Sequence, residues 1–186
     1  RKRTHPKRKQ YNTIGLAVSS GYLVITLLLK WLAFTAFEDA LRLQGVSYTQ
    51  METRPTPLNT ILWSANVDAG DTYLLGNYSF FDSRPVTFHA HPKEQSFPKN
   101  WATTERAKRM VHISKGWYTI TRENDTAYFN DLRFGTMSVE PSGTDFVFKY
   151  AMYENAQGEL EFTEVRKAPR DGKKLLVDLW ERIQGN

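Results

Sequence analysis

The chain has 186 residues, a 40% share of hydrophobic side chains and no cysteine. That is enough for one folded domain with an appendage, and it excludes a disulfide scaffold, a thiol nucleophile and a cysteine-ligated zinc site. The formal charge of +5 is concentrated, because six of the 25 Lys and Arg fall in the opening RKRTHPKRKQ and the rest of the chain is close to neutral.

A basic block of that kind is a topology signal or a basic arm. Directly after it, residues 14–37 read IGLAVSSGYLVITLLLKWLAFTAF and carry one charge, Lys30. The uncharged part, 14–29, spans about 24 Å as a helix, short of a hydrocarbon core of roughly 30 Å. Adding 31–37 makes it long enough; Lys30 then snorkels or faces another helix, and Tyr22 and Trp31 meet the interface. A buried core helix and a secretory signal are the rival readings. The basic flank argues against the first, and the lack of a small-residue cleavage site argues against the second. The expected division is a basic cytoplasmic flank (1–13), a transmembrane or membrane-associated helix (14–45) stopped by Gly45, and an extramembrane domain (46–186). Positive-inside reasoning places the domain on the extracytoplasmic side. The chain starts on a basic block without an initiator Met, which reads as a loop inside a longer protein.

Two prolines in RPTPLNTILW, residues 54–63, forbid a helix and pre-set an extended chain. The stretch reads as an elbow between the tethering helix and a first strand at 61–68, with Trp63, Ala65 and Val67 on one face. Strands at 61–68 and 72–82 flank an AGD turn, and a short strand is expected at 85–91. Asn100 is placed to cap a helix over 101–112. Two further hairpins follow, 117–122 with 126–133, and 145–153 with 160–165. A last helix, capped by Asp171, carries an apolar stripe of Leu175, Leu176, Leu179, Trp180 and Ile183. The expected fold class is α+β: an N-terminal membrane-tethering helix, then a meandering antiparallel sheet with helices on one face.

Several blocks occur in a characteristic order: PTPLNTILW (55–63), GNYSFFD (76–82), His91-Pro92, ISKGWYTI (113–120) and DLRFG (131–135). Together they resemble the membrane-bound, metal-dependent hydrolases of bacterial inner membranes, the YdjM-like family, over most of residues 14–153. The resemblance implies a polytopic inner-membrane parent whose upstream helices carry the His- and Asp-containing motifs and, with them, a divalent metal. None of those motifs is present here, so no catalytic residue is carried over. It implies a binding or regulatory C-terminal domain whose partners are the membrane and the parent's N-terminal membrane helices.

Within the chain, FHAHPKE is the sharpest local feature. On a strand His89 and His91 share a face and can hold a divalent metal if Glu94, Asp82 or Asp68 approaches. Asp82 with Arg84, and Asp131 with Arg133, form either a polar pocket walled by Trp63 and Tyr78, or ion pairs and turn-fixing aspartates. Lys99, Arg106, Lys108 and Arg109 make the central helix basic. No recognition motif accompanies them, and no nucleic-acid partner is expected. A docking module without enzymatic role is the alternative to the binding domain.

Overall fold

A computed structural model of the protein describes residues 7–137, 143–165 and 172–185. The first helix, α1 (Arg8–Leu43), is 36 residues long and therefore about 54 Å from end to end. Its stop follows from Gly45, at φ 69°. The Gly45 amide donates to the Arg42 carbonyl and the Val46 amide to the Leu41 carbonyl, the paired closure that a left-handed glycine allows. Thr13, Ser19, Thr26 and Thr35 each donate a hydroxyl to a carbonyl one turn back, so these side chains are satisfied within the helix itself.

After α1 come two antiparallel meanders. The first sheet is β1 (Gln50–Pro55), β2 (Leu62–Asp68), β3 (Thr72–Ser79) and β4 (Phe88–Pro92), in that order. A 3-10 turn (Trp101–Thr103) and α2 (Glu105–Ile113) interrupt the strands. The second sheet is β5 (Tyr118–Glu123), β6 (Thr126–Thr136), β7 (Phe146–Glu154) and β8 (Leu160–Glu164), and α3 (Gly172–Ile183) follows. The α+β class stands, as does the order of an apolar helix followed by hairpins. The strands divide into two sheets because α2 intervenes between β4 and β5.

Three cores hold these pieces. Trp63, Ala65 and Val67 alternate onto the face of β2 that meets Ala33, Phe37, Ala40 and Leu41 of α1. Phe37 is fully buried and sits 6.0 Å from the Tyr78 ring, edge-on; burying such a side chain contributes about 2–3 kcal/mol. On the second sheet, Tyr118, Ile120, Phe129 and Met152 pack under Ala107 of α2. The remaining faces meet through Tyr73, Leu75, Trp117, Leu132 and Phe146, and the buried Asn66 amide donates to the Leu132 carbonyl across the seam at 2.7 Å.

Two local expectations change. Residues 54–63 do not lead from the helix into the first strand. They are the end of β1, the β1–β2 loop and the start of β2, with Pro55 opposite Trp63. The cap of α2 is Thr104, whose hydroxyl accepts from the Ala107 amide, while the Asn100 side chain makes no cap bond. The expected Asp171 cap, and residues 1–6 of the basic block, lie outside the described residues.

Candidate functional site: a cleft beside Arg54

The β1–β2 loop is organised by one side chain. The Asn59 carboxamide oxygen accepts from the amides of Ile61 (3.0 Å) and Leu62 (2.7 Å), and its nitrogen donates to Thr56 Oγ1 (2.7 Å) and the Pro57 carbonyl (3.1 Å). The fixed loop leaves Pro55 and Pro57 at the mouth of a cleft of about 500 Å³. The cleft lies on the face of the first sheet turned away from α1. Leu62 and Leu75 form its floor, Phe134 and Met137 at the end of β6 one wall, and Leu175 and Leu179 of α3 another. Its lining is mainly apolar, and Arg54 is the one charged side chain among the described lining residues.

The Arg54 side chain is mostly buried, and its guanidinium has one hydrogen-bonding partner among the described residues, Glu52 at 3.1 Å. Burial lowers its pKa, opposed by the nearby carboxylates of Glu52 and then Asp131. Asp131 itself is committed elsewhere. Arg133 grips it with Nε (3.0 Å) and Nη2 (2.6 Å), and the Arg133 amide donates to the same carboxylate. That clasp holds the Arg133 guanidinium above its ordinary pKa. A register shift in β6 follows at once, between Asp131 and Thr136, and turns Phe134 out toward solvent.

Asp82 is the third fixed carboxylate. Arg182 of α3 meets it with both terminal nitrogens (2.6 and 2.9 Å), and the Ser79 amide donates to it at 2.9 Å. The Ser79 hydroxyl donates to the Ile183 carbonyl. Gly185, at φ 98°, lies where an added Cβ would collide with the Phe81 carbonyl, so only glycine fits. These contacts clamp the C-terminal end of α3 to the β3–β4 loop and set Leu175 and Leu179 over the cleft.

The sequence-proposed residues do not gather around one pocket. Trp63 and Tyr78 are cross-strand neighbours on the α1 face, opposite the cleft. Asp82 pairs with Arg182 rather than Arg84, which is exposed. Asp131 and Arg133 form a turn-fixing ion pair within β6. Sequence reasoning did not single out Arg54 or Arg182, whereas the local backbone bonding of Asn59 follows from its residue type and is present. Arg54 has a local signal, a cation at the end of a short polar strand, but its cleft is assembled from β1, β6 and α3 and has no signature along the chain.

His89 and His91 do share a face of β4, opposite Leu75 and Tyr73. His91 is buried, with Phe146 edge-on at 5.3 Å. The three carboxylates named as candidates to complete a metal site are occupied elsewhere: Asp68 by Lys93 at 2.7 Å, Asp82 by Arg182, and Glu94 by the Ser96 amide at 2.7 Å. No group of three ligating side chains occurs among the described residues. Among the described residues, the donors near His89 and His91 do not make up a divalent-metal site.

Three of the four basic residues around α2 are likewise engaged, and Arg109 is exposed. Arg106 pairs with Glu161 and Glu159, Lys108 with Glu105, and Lys99 with Glu154. No family model, no curated protein and no solved structure matches the chain.

Proposed function

We propose that this chain is a membrane-tethered binding domain: α1 crosses the bilayer, and the two-sheet body is held at its surface. One observation carries this reading. α1 is long and apolar enough to span a membrane, and the apolar stretch is almost wholly exposed. Ile14, Leu16, Val18, Leu23, Ile25 and Leu27 stand out on several sides of a helix whose burial begins at Ala33. A soluble core helix would hide these side chains. Tyr11 and Trp31 lie about 30 Å apart along the axis, the thickness of a hydrocarbon core, and both are exposed as interface aromatics would be. Lys7, Arg8 and Lys9 at the first end support a cytoplasmic N-terminus and an extracytoplasmic body.

The same reading extends to a parent protein. Asn12, Gly15, Ser19, Tyr22, Thr26 and Lys30 recur every three to four residues along one side of α1, a small and polar seam of the kind by which membrane helices pack together. With the family resemblance, this supports a C-terminal domain of a bacterial inner-membrane, metal-dependent hydrolase. The catalytic metal set belongs to upstream helices, and the body described here binds or regulates.

Two measurements test the proposal. The chain is expected to stay in the membrane pellet after alkaline carbonate extraction and to show no hydrolysis with zinc or manganese. Release into the supernatant would contradict the tether. Robust metal-dependent turnover by this chain alone would contradict the division of labour.

A further inference from the structure

The cleft beside Arg54 combines an apolar lining with a guanidinium at its edge. Its floor and walls are apolar, built from Leu62, Leu75, Phe134, Leu175 and Leu179. At its rim stands a mostly buried guanidinium whose hydrogen bonding among the described residues reaches only Glu52. A partly buried arginine that uses one of its five N–H donors on a neighbour retains donors for a carboxylate or phosphate. The adjacent guanidinium, Arg133, has its Nε–Nη2 edge taken by Asp131. Among the described lining residues Arg54 is the cation placed to meet a ligand, while the cleft offers its ligand mainly hydrocarbon contact.

We infer that the cleft binds a single-chain anionic amphiphile, with the acyl chain between the first sheet and α3 and the carboxylate or phosphate head on Arg54. The volume suits such a ligand, since pockets of about 300–1,000 Å³ enclose drug-sized molecules. The proposed tether supplies the source: a body fixed at a bilayer surface meets fatty acids and lysophospholipids at high local concentration. This inference deepens the binding role proposed above and rests on it. α3 is a wall held at one end, by the Arg182–Asp82 pair and the Ser79–Ile183 bond. Leu176, Val177 and Trp180 remain exposed on its outer side.

The test uses the full chain in lipid nanodiscs with palmitate carrying a diazirine near its methyl end. Irradiation is followed by mapping of the labelled peptides. Labelling is expected both on α1, from probe dissolved in the bilayer, and on peptides containing Leu62–Leu75 and Leu175–Leu179. Arg54→Gln should lower cleft labelling about tenfold, the loss of one charge-assisted contact of roughly 1.4 kcal/mol, and leave α1 labelling unchanged. Leu179→Trp, which fills the cleft, should abolish cleft labelling alone. Thermal unfolding of both variants checks that the body remains folded. Lysophosphatidic acid with the same chain separates phosphate from carboxylate recognition, and the matching fatty alcohol should label only α1. Cleft labelling that is absent with both anionic probes overturns the inference, as does labelling that survives both substitutions. Missing α1 labelling would instead overturn the tether, so the two failures are distinguishable.

Discussion

Asn59 holds the β1–β2 loop with both ends of its carboxamide, two amides on one side and Thr56 with Pro57 on the other. Removing it leaves half-buried backbone donors without a partner. Asn59→Ala is therefore expected to cost about 1–3 kcal/mol, read as a lower melting temperature. Asn59→Asp keeps the acceptor and should recover part of the loss; an unchanged melting temperature in the alanine variant would contradict the loop's role. The Asp82–Arg182 pair has more at stake, because the Asp82 carboxylate is almost wholly buried. Breaking a buried pair by removing one partner costs about 3–5 kcal/mol. Arg182→Leu should reach that range and expose α3 to protease. The double variant Asp82→Leu with Arg182→Leu should be less destabilised than the sum of the singles, since no unpaired charge is left buried.

At the scale of elements, α1 divides at Ala33 into an exposed apolar shaft and a packed foot. Phe37→Ala removes the ring that locks the foot onto β3 and β4. The expected loss is about 3–5 kcal/mol, with faster amide exchange in β2 and β3 and no change in membrane retention. Slower or unchanged exchange would mean that the foot does not stabilise the sheet. The same division explains what could be read along the chain. The hairpins around residues 69–71, 124–125 and 155–159 were readable, because each joins alternating runs across a short polar turn. β1 was not. Its Gln50, Glu52 and Arg54 are polar on the inner face, and Pro55 looks like a terminator when it is the last residue of an edge strand. The start of α2 was misplaced because Asn100 and Thr104 are both cap residues, and only packing of Ala107 decides between them. The foot was also missed: apolar content alone assigns residues 31–37 to the bilayer, whereas Ala33 and Phe37 belong to the body's core.

Across the whole molecule, helices cover outer faces of two sheets whose inner faces meet at Tyr73, Leu75, Trp117, Leu132 and Phe146. Where the inner face of the first sheet runs past that contact, α3 covers it and the cleft results. This explains why the candidate site escaped sequence reasoning more than the fold did. Periodicity reports which side of a strand is buried, but not which distant element buries it. The paired residues singled out in the sequence, Asp82 with Arg84 and Asp131 with Arg133, included two genuine structural anchors, and one of their partners, Arg182, is a hundred residues away. The shaft and the foot are one unbroken helix, so the proposed tether predicts a body held against the headgroups in a fixed orientation.

The most direct measurement is a depth profile of α1. The chain has no native cysteine, so single cysteines placed from Tyr11 to Phe37 can each carry a nitroxide in a lipid bilayer. The proposal predicts high oxygen and low nickel-chelate accessibility from Ile14 to Leu28, with crossovers near Tyr11 and Trp31 and protection from both reagents at Ala33 and Phe37. Nickel-chelate accessibility along the whole of residues 14–28 would place α1 in water and contradict the account.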